Sequence, residues 1–198
     1  MSSINRNSKF LIMTKKKTKT TKPQILKLRG KAIVFIDWAN VYNWRASFKQ
    51  PVNPEKLFKY LKTYPKIQSI NFYYGKDKNL KSKEFLKNIK KIGYKLTTKP
   101  VKYITVGKVA NTTIKKRKCD FDIEISMSVY DSLKKGLESF IFFSGDGDFA
   151  PLYKHLIKLK KQVILIYEKG YLGKEVWKIK KGLFKTRLTY LKIENKQK

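Results

Sequence analysis

One cysteine, one histidine and fourteen acidic side chains are all that this 198-residue chain offers of three residue types on which much enzyme chemistry depends. With Cys119 alone there is no internal disulfide, and a lone thiol fits a reducing compartment. With His155 alone there is no Cys/His zinc site and little to activate Cys119 as a nucleophile, so both read as packing or surface residues. No apolar run approaches the roughly 18 residues that a bilayer span needs. Phe10-Leu11-Ile12-Met13 is too short for the apolar core of a signal peptide. These absences lead to the expectation of a cytoplasmic protein without a membrane anchor.

What the chain has instead is positive charge. Forty-seven Lys and Arg give a formal net charge of +33. A surplus of this size suits a polyanion, with nucleic acid ahead of an anionic membrane surface. An apolar content of 41%, with 12 Phe and 12 Tyr, argues for a folded domain rather than a disordered basic chain. The length fits one compact domain plus tails.

Residues 1–29 are polar and basic and contain no acid, and they read as a disordered arm; a single domain is expected over 30–195. Within it, strand and helix signals alternate. Strands are expected at Ala32–Ile36, Ser69–Tyr74, Tyr94–Thr98, Val101–Val106, Phe140–Phe143, Val163–Tyr167 and Leu188–Ile193. Helices are expected at about 54–64, 79–92, 121–135, 149–161 and 173–181, with Asn53 and Pro54 opening the first and Gly93 closing the second. Such alternation predicts an α/β fold with a mostly parallel sheet and helices on both faces.

Half of the acids fall between Asp120 and Asp148. Carboxylate oxygens are the preferred ligands of Mg²⁺ and Mn²⁺, so a chain this poor in acids that groups them points to a divalent metal. Asp37 ends the first strand, and Asp146 and Asp148 follow Phe140–Phe143 in Ser144-Gly145-Asp146-Gly147-Asp148. In a doubly wound sheet, ligands bind beyond the carboxyl ends of strands where strand order reverses. If those two strands are neighbours, three carboxylates meet there, and the two glycines let the chain turn and leave room for an ion or phosphate. The competing readings are a turn aspartate at Asp37 and a helix cap at Asp148. Asp120, Glu124 and Asp131 fall on one helical face, with Asp122 elsewhere on the turn. They fit equally a metal site or a helix N-terminus favoured by the macrodipole and paired with Lys115, Lys116, Arg117 and Lys118. Trp38, Tyr42 and Trp44 near Asp37 are placed either to stack on bases or to pack at the sheet edge.

Three segments carry a resemblance. Phe35-Ile36-Asp37-Trp38-Ala39-Asn40-Val41-Tyr42 resembles the opening D-x-x-N strand of the NYN domain, a family of the PIN-like nuclease superfamily. Lys118-Cys119-Asp120-Phe121-Asp122-Ile123-Glu124 resembles its K-x-x-x-D-x-E segment, and Ser144-Gly145-Asp146-Gly147-Asp148-Phe149 its SGDxDF signature. The resemblance implies a three-layer PIN-like, Rossmannoid α/β sandwich and a Mg²⁺- or Mn²⁺-dependent attack on RNA phosphodiester bonds. By position it implies Asp37, Asp122, Asp146 and Asp148 as catalytic, metal-binding acids, with Asp120 and Glu124 as extra ligands. Asn40, Ser144 and Lys118 would contact substrate. One departure stands out: many relatives have an Asp where this chain has Ser128. A catalytically reduced RNA-binding module of a ribonucleoprotein assembly is therefore the alternative function. An aspartyl phosphotransferase would want Asp-x-Asp after the first strand, and Asp37-Trp38-Ala39 lacks it. The RNA is single-stranded or structured, DNA is not excluded, and a homodimer is left open.

Overall fold

The computed structural model describes residues 25–47, 51–109, 112–191 and 193. Its centre is β1 (Ala32–Asp37), a run in which every residue is buried. β1 lies in parallel between β2 (Ile67–Lys76) and β6 (Ser139–Phe143). β3 (Lys95–Pro100) extends the sheet beyond β2, and β7 (Gln162–Tyr167) and β8 (Leu183–Arg187) extend it beyond β6. The order β3-β2-β1-β6-β7-β8 is parallel throughout, so the chain builds one half outward from β1 and then returns beside β1 to build the other. That return makes the β1–β6 seam the switch point of strand order.

Both faces are covered because β1 alternates its side chains between two cores. Ala32, Val34 and Ile36 pack with α1 (Trp38–Asn43), α2 (Pro54–Lys62) and α3 (Leu80–Ile92) through Val41, Leu57, Leu61 and Ile89. Ile33 and Phe35 pack with α4 (Asp122–Lys134), α5 (Ala150–Lys158) and α6 (Lys174–Trp177) through Ile125, Val129, Tyr153, Leu156 and Val176. The result is the expected three-layer α/β sandwich. Local chemistry sets the helix ends: Asn53 caps α2 by accepting from the Lys56 N–H at 3.1 Å, and Asn79 caps α3 through the Ser82 N–H at 2.8 Å. Gly93 stops α3 in the left-handed region at φ 108°.

Several elements differ from the sequence reading. Trp38–Asn43 forms a helix that the reading left unassigned. β4 (Lys102–Val109) is joined by an unexpected partner, β5 (Thr112–Lys118), in an antiparallel ribbon outside the main sheet. The lysine run of β5 disguised a strand as a solvated charge cluster. The closing strand is Leu183–Arg187, not Leu188–Ile193. Leu188 starts a 3₁₀ turn, and the i, i+3 spacing of Leu188 and Leu191 buries both without a strand. In α5, Tyr153 and Leu156 face the core, whereas Leu159, just past its end, is exposed.

The arm expected over 1–29 lies outside the described residues up to residue 24. Residues 25–29 belong to the folded body. Leu26 is buried and its N–H donates to the Tyr64 hydroxyl at 3.2 Å. Gln162 clasps the next residues, accepting from the Arg29 N–H at 2.9 Å and donating to the Lys27 carbonyl at 2.8 Å. Among the described residues, no helix is long and apolar enough to cross a membrane.

Candidate active site

Asp37 is the last residue of β1, and Ile36 pairs in register with Phe143, the last residue of β6. The Ser144–Asp148 loop therefore leaves its strand at the level of Asp37. This is the neighbouring arrangement on which the sequence argument depended.

Asp37 is buried and fully engaged. Its Oδ1 accepts from the N–H groups of Ala39 at 3.1 Å and Asn40 at 3.5 Å, which caps α1. Its Oδ2 accepts from the Asn40 amide at 2.6 Å. Asn40 then reaches across the seam, and its Oδ1 accepts from the Gly145 N–H at 3.3 Å. One side chain thus ties the first acid to the loop that carries the others. Burial pushes the Asp37 carboxyl up to about 6, opposed by the Asn40 hydrogen bonds and reinforced by the charge of Asp146.

The loop is shaped by its own polar groups. The Ser144 hydroxyl accepts from the Asp146 N–H at 3.2 Å, and Asp146 accepts from the Asp148 N–H at 3.0 Å. The cap of this turn is therefore Asp146 and not Asp148, whose exposed carboxylate has no hydrogen-bond partner among the described residues. Ser144 is buried within the turn, where it orders the loop and presents nothing to solvent. The glycines answer a steric demand. A Cβ at Gly145 would run into the Tyr171 carbonyl, and one at Gly147 would meet the Glu175 carboxylate. Neither has a positive φ. The segment after β7 presses on the loop, and the Gly173 N–H donates to the Gly145 carbonyl at 2.8 Å. Close approach of two backbones, rather than a sharp turn, requires glycine here.

Asp122, half-buried at the first turn of α4, completes the group. Burial raises its carboxyl, and the charges of Asp146, Asp120 and Asp148 raise it further, while Lys99 opposes them. Beneath the acids lies Tyr153, whose buried hydroxyl has no hydrogen-bond partner among the described residues. Burial holds that phenol well above its ordinary range, helped by the charges of Asp37, Asp146 and Asp122. Asp37, Asp120, Asp122, Asp146 and Asp148 therefore share one electrostatic field.

The remaining candidates separate. Glu124 lies near Tyr73 and Cys119, where its Oε1 is held by Lys99 Nζ at 2.7 Å while its Oε2 is buried without a partner. Asp131 lies near the far end of α4, beside a small cavity lined by Ile33 and Ser69 at the starts of β1 and β2. Ser128 stands beside the Tyr73 hydroxyl and lines that same cavity. Lys118 ends β5, exposed and paired across the ribbon with Lys102. Trp38 and Trp44 are buried packing residues, and only Tyr42 of the three aromatics is exposed, with the Arg45 guanidinium 4.2 Å from its ring centre. His155 is exposed on α5 against the Tyr130 ring. Two contributors escaped the sequence reading, Lys99 and Tyr153. A lysine among so many carries no signal, and a core-facing tyrosine looks like any other apolar helix position.

Three ion pairs occur among the described residues: Glu55–Lys59, Glu124–Lys99 and Asp77–Arg117. None involves Asp37, Asp122, Asp146 or Asp148. A protein with a formal charge of +33 keeps its cations out of contact with the acids it gathers. Among the described residues, no three Asp, Glu, His or Cys side chains form a ready-made metal cage. Mg²⁺ does not need one, because it keeps several waters and binds through one or two carboxylates plus substrate phosphates. The all-oxygen donor set, its unneutralised charge and the unpartnered Tyr153 hydroxyl below it fit such an ion.

A groove of about 890 Å³, lined by none of these acids, opens between α1, the starts of α2 and α3, and the end of β2. Trp38, Ala39 and Tyr42 form one wall, directly after Asp37, and Arg117 of β5 reaches the other side.

The fold has a solved counterpart. A Vibrio parahaemolyticus (RIMD 2210633) protein of unknown function, VPA0982, superposes with a TM-score of 0.62 at 18% identity, covering 82% of this chain and 96% of that one. In sequence, the chain is 22% identical over 145 residues to the low amplitude and bright protein LabA of Synechococcus elongatus (strain ATCC 33912 / PCC 7942 / FACHB-805), covering 72% of this chain and 76% of LabA. The NYN domain model matches residues 31–177, which runs from the start of β1 through the end of α6 and includes every acid at the switch point. The chain belongs to the NYN domain family.

Proposed function

We propose that this protein is a metal-dependent ribonuclease that hydrolyses RNA phosphodiester bonds at the β1–β6 switch point, in the cytoplasm. The observation that supports the reading is that Asp37 and the Asp146 loop leave neighbouring parallel strands at one level, where such sheets bind ligands, with none of Asp37, Asp122, Asp146 and Asp148 paired with a described cation. These four would hold Mg²⁺ or Mn²⁺, with Asp120 at the rim. When bound, such an ion lowers the pKa of its water and stabilises charge on the reacting phosphate. The chain's own groups prepare the site. Asn40 fixes Asp37 against the loop, Ser144 and Asp146 set the loop's shape, and Tyr153 gives the acids a buried floor. Surrounding Lys and Arg side chains would neutralise the RNA phosphates.

Ser128 favours a second reading, a catalytically reduced RNA-binding module, because it turns to Tyr73 and adds no carboxylate to the group. Cleavage of a labelled single-stranded RNA with Mg²⁺ or Mn²⁺, scored beside binding, decides between the two. Cutting that EDTA and Asp146→Asn both abolish, with binding retained, is the expected result. Tight binding without metal-dependent cutting would overturn the catalytic reading and leave the binding module.

A further inference from the structure

The β4–β5 ribbon has no part in the acid site, yet its charge is all of one sign. Between Val101 and Cys119 there is no Asp or Glu. The ribbon carries Lys102, Lys108, Lys115, Lys116, Arg117 and Lys118, all exposed. Tyr103, Ile104, Val106 and Ile114 are exposed among them. A free-standing hairpin that displays both cations and apolar side chains buries little and gains little stability from its sequence. Like charges directly opposite each other, as at Lys102–Lys118, work against pairing unless an anion lies on them.

Its placement says where that anion runs. Tyr103 and Arg117 form a cross-strand pair, and both bind Asp77, the tyrosine hydroxyl at 2.6 Å and the guanidinium at 3.1 Å. Arg117 also donates to the Gly75 carbonyl at 3.1 Å. These bonds fix the root of the ribbon at the end of β2, and Gly75, Asp77 and Arg117 all line the groove whose other wall includes Trp38, the residue after Asp37. By strand alternation, Thr105 and Lys115 share the face of Tyr103 and Arg117. Beyond the irregularity between Thr105 and Gly107, Lys108 pairs with Thr113. A bulge of this kind bends and twists the ribbon. Within the groove, Lys56 and Lys81 add positive charge, and the exposed Tyr42, with the Arg45 guanidinium over its ring, adds an aromatic surface.

We propose that the β4–β5 ribbon and the groove at its root form a binding track for a single nucleic-acid strand, leading from the ribbon lysines past Tyr42 to the acids. Cations that follow the backbone, together with an aromatic ring for a base, are what an unpaired strand needs. The track deepens the proposed function, resting on it for the end at which the strand arrives, but binding can be read without cutting.

The test compares two full-length variants that lose the same charge. In the ribbon variant, Lys102, Lys108, Lys115 and Lys116 become Thr, which keeps β propensity and leaves the Arg117 anchor intact. In the control, Lys87, Lys90, Lys154 and Lys158, exposed on α3 and α5 away from the groove, become Gln. Affinity for a labelled 12-nucleotide single-stranded RNA is measured by fluorescence anisotropy between 50 and 200 mM salt, with thermal melts to verify folding. The ribbon variant is expected to lose at least about tenfold in affinity and to flatten the log–log salt slope by about 0.7 per lost phosphate contact. The control should stay within about threefold of the parent protein, and Tyr42→Ala should weaken binding without changing the slope. Equal losses in ribbon and control variants, or parental affinity in the ribbon variant, would refute the track; tighter binding of an RNA duplex would refute its single-strand preference. Asp146→Asn separates the two readings. If it stops cutting while the ribbon variant binds normally, the nuclease stands and the track falls. If nothing cuts but binding depends on the ribbon, the track stands and the nuclease falls.

Discussion

Replacing Asp37 by Asn is expected to strengthen the metal-free fold while removing the proposed RNA cleavage. In the unfolded chain this carboxyl ionises at the ordinary value of 3.8, whereas burial holds its folded value at about 6. Between those pH values the folded protein binds the extra proton. The stability supplied by neutral Asp37 is therefore complete below the unfolded value and lost as pH rises through about 6. About two pKa units correspond to about 3 kcal/mol, so above pH 7 the ionised buried carboxylate weakens the metal-free fold by roughly that amount. Asn is neutral and still caps α1 through its oxygen. Its amide must face the Asn40 amide, which cannot turn away because its oxygen is held by the Gly145 N–H. That clash costs about 1 kcal/mol, leaving a net gain of about 2 kcal/mol. For a domain of this size the gain is worth about 4–8 °C in Tm. Circular-dichroism melts of both proteins in EDTA at pH 8 and pH 4 read it directly. The Asn variant should melt higher at pH 8 and no higher at pH 4. A gap that is absent at pH 8, or the same at both pH values, would refute the burial argument. Mg²⁺ at about a hundred times its Kd should then add about 2.7 kcal/mol to the parent protein and far less to the variant.

Other outcomes follow from the same geometry. Asp148→Asn should leave Tm within about 1 °C, because the exposed carboxylate has no hydrogen-bond partner, while metal-dependent cleavage falls at least about tenfold. Asn40→Ala removes the bonds to Asp37 and Gly145, so a loss of about 2 kcal/mol is expected in denaturant titration. Since the Asn40 hydrogen bonds hold the Asp37 carboxyl down, the acid limb of the rate–pH profile should also move to higher pH; an unmoved limb would count against Asp37 as the titrating group. Gly145→Ala drives a methyl into the Tyr171 carbonyl and should destabilise by about 1–3 kcal/mol, whereas Gly107→Ala in the ribbon meets nothing within 4 Å and should be neutral in the same melts.

The site shows how a basic protein can hold a negative centre. Asp37 ionises against its own burial, and the cost is offset locally by two N–H groups and one amide. Lysines would stabilise it more, but they would also fill the place of the proposed metal. The charge of Lys99 reaches Asp122, yet its ion pair is made with Glu124 and not with one of the four acids.

Fold class, layer order and the acids themselves were legible in the chain because each rests on local chemistry. A short apolar run rich in β-branched residues, such as Ala32–Ile36, reads as a strand buried on both faces, and it is one. Asn53 and Gly93 mark helix ends by their own hydrogen bonding and φ preference. Asp37, Asp122, Asp146 and Asp148 stand out because carboxylates are scarce and their spacing repeats a family pattern. Other features depend on contacts between segments far apart in sequence. That β6 returns beside β1 decides whether Asp37 and Asp146 meet at all. That the segment after β7 presses on the acid loop decides why Gly145 must lack a side chain, something no turn propensity reveals. Tyr153 becomes the floor of the site only when α5 lies under the switch point, and a lysine run becomes a strand only when β4 pairs with it. Residue type and short-range spacing carry propensity and charge, whereas proximity across the sheet is created by folding and has no local signature to read.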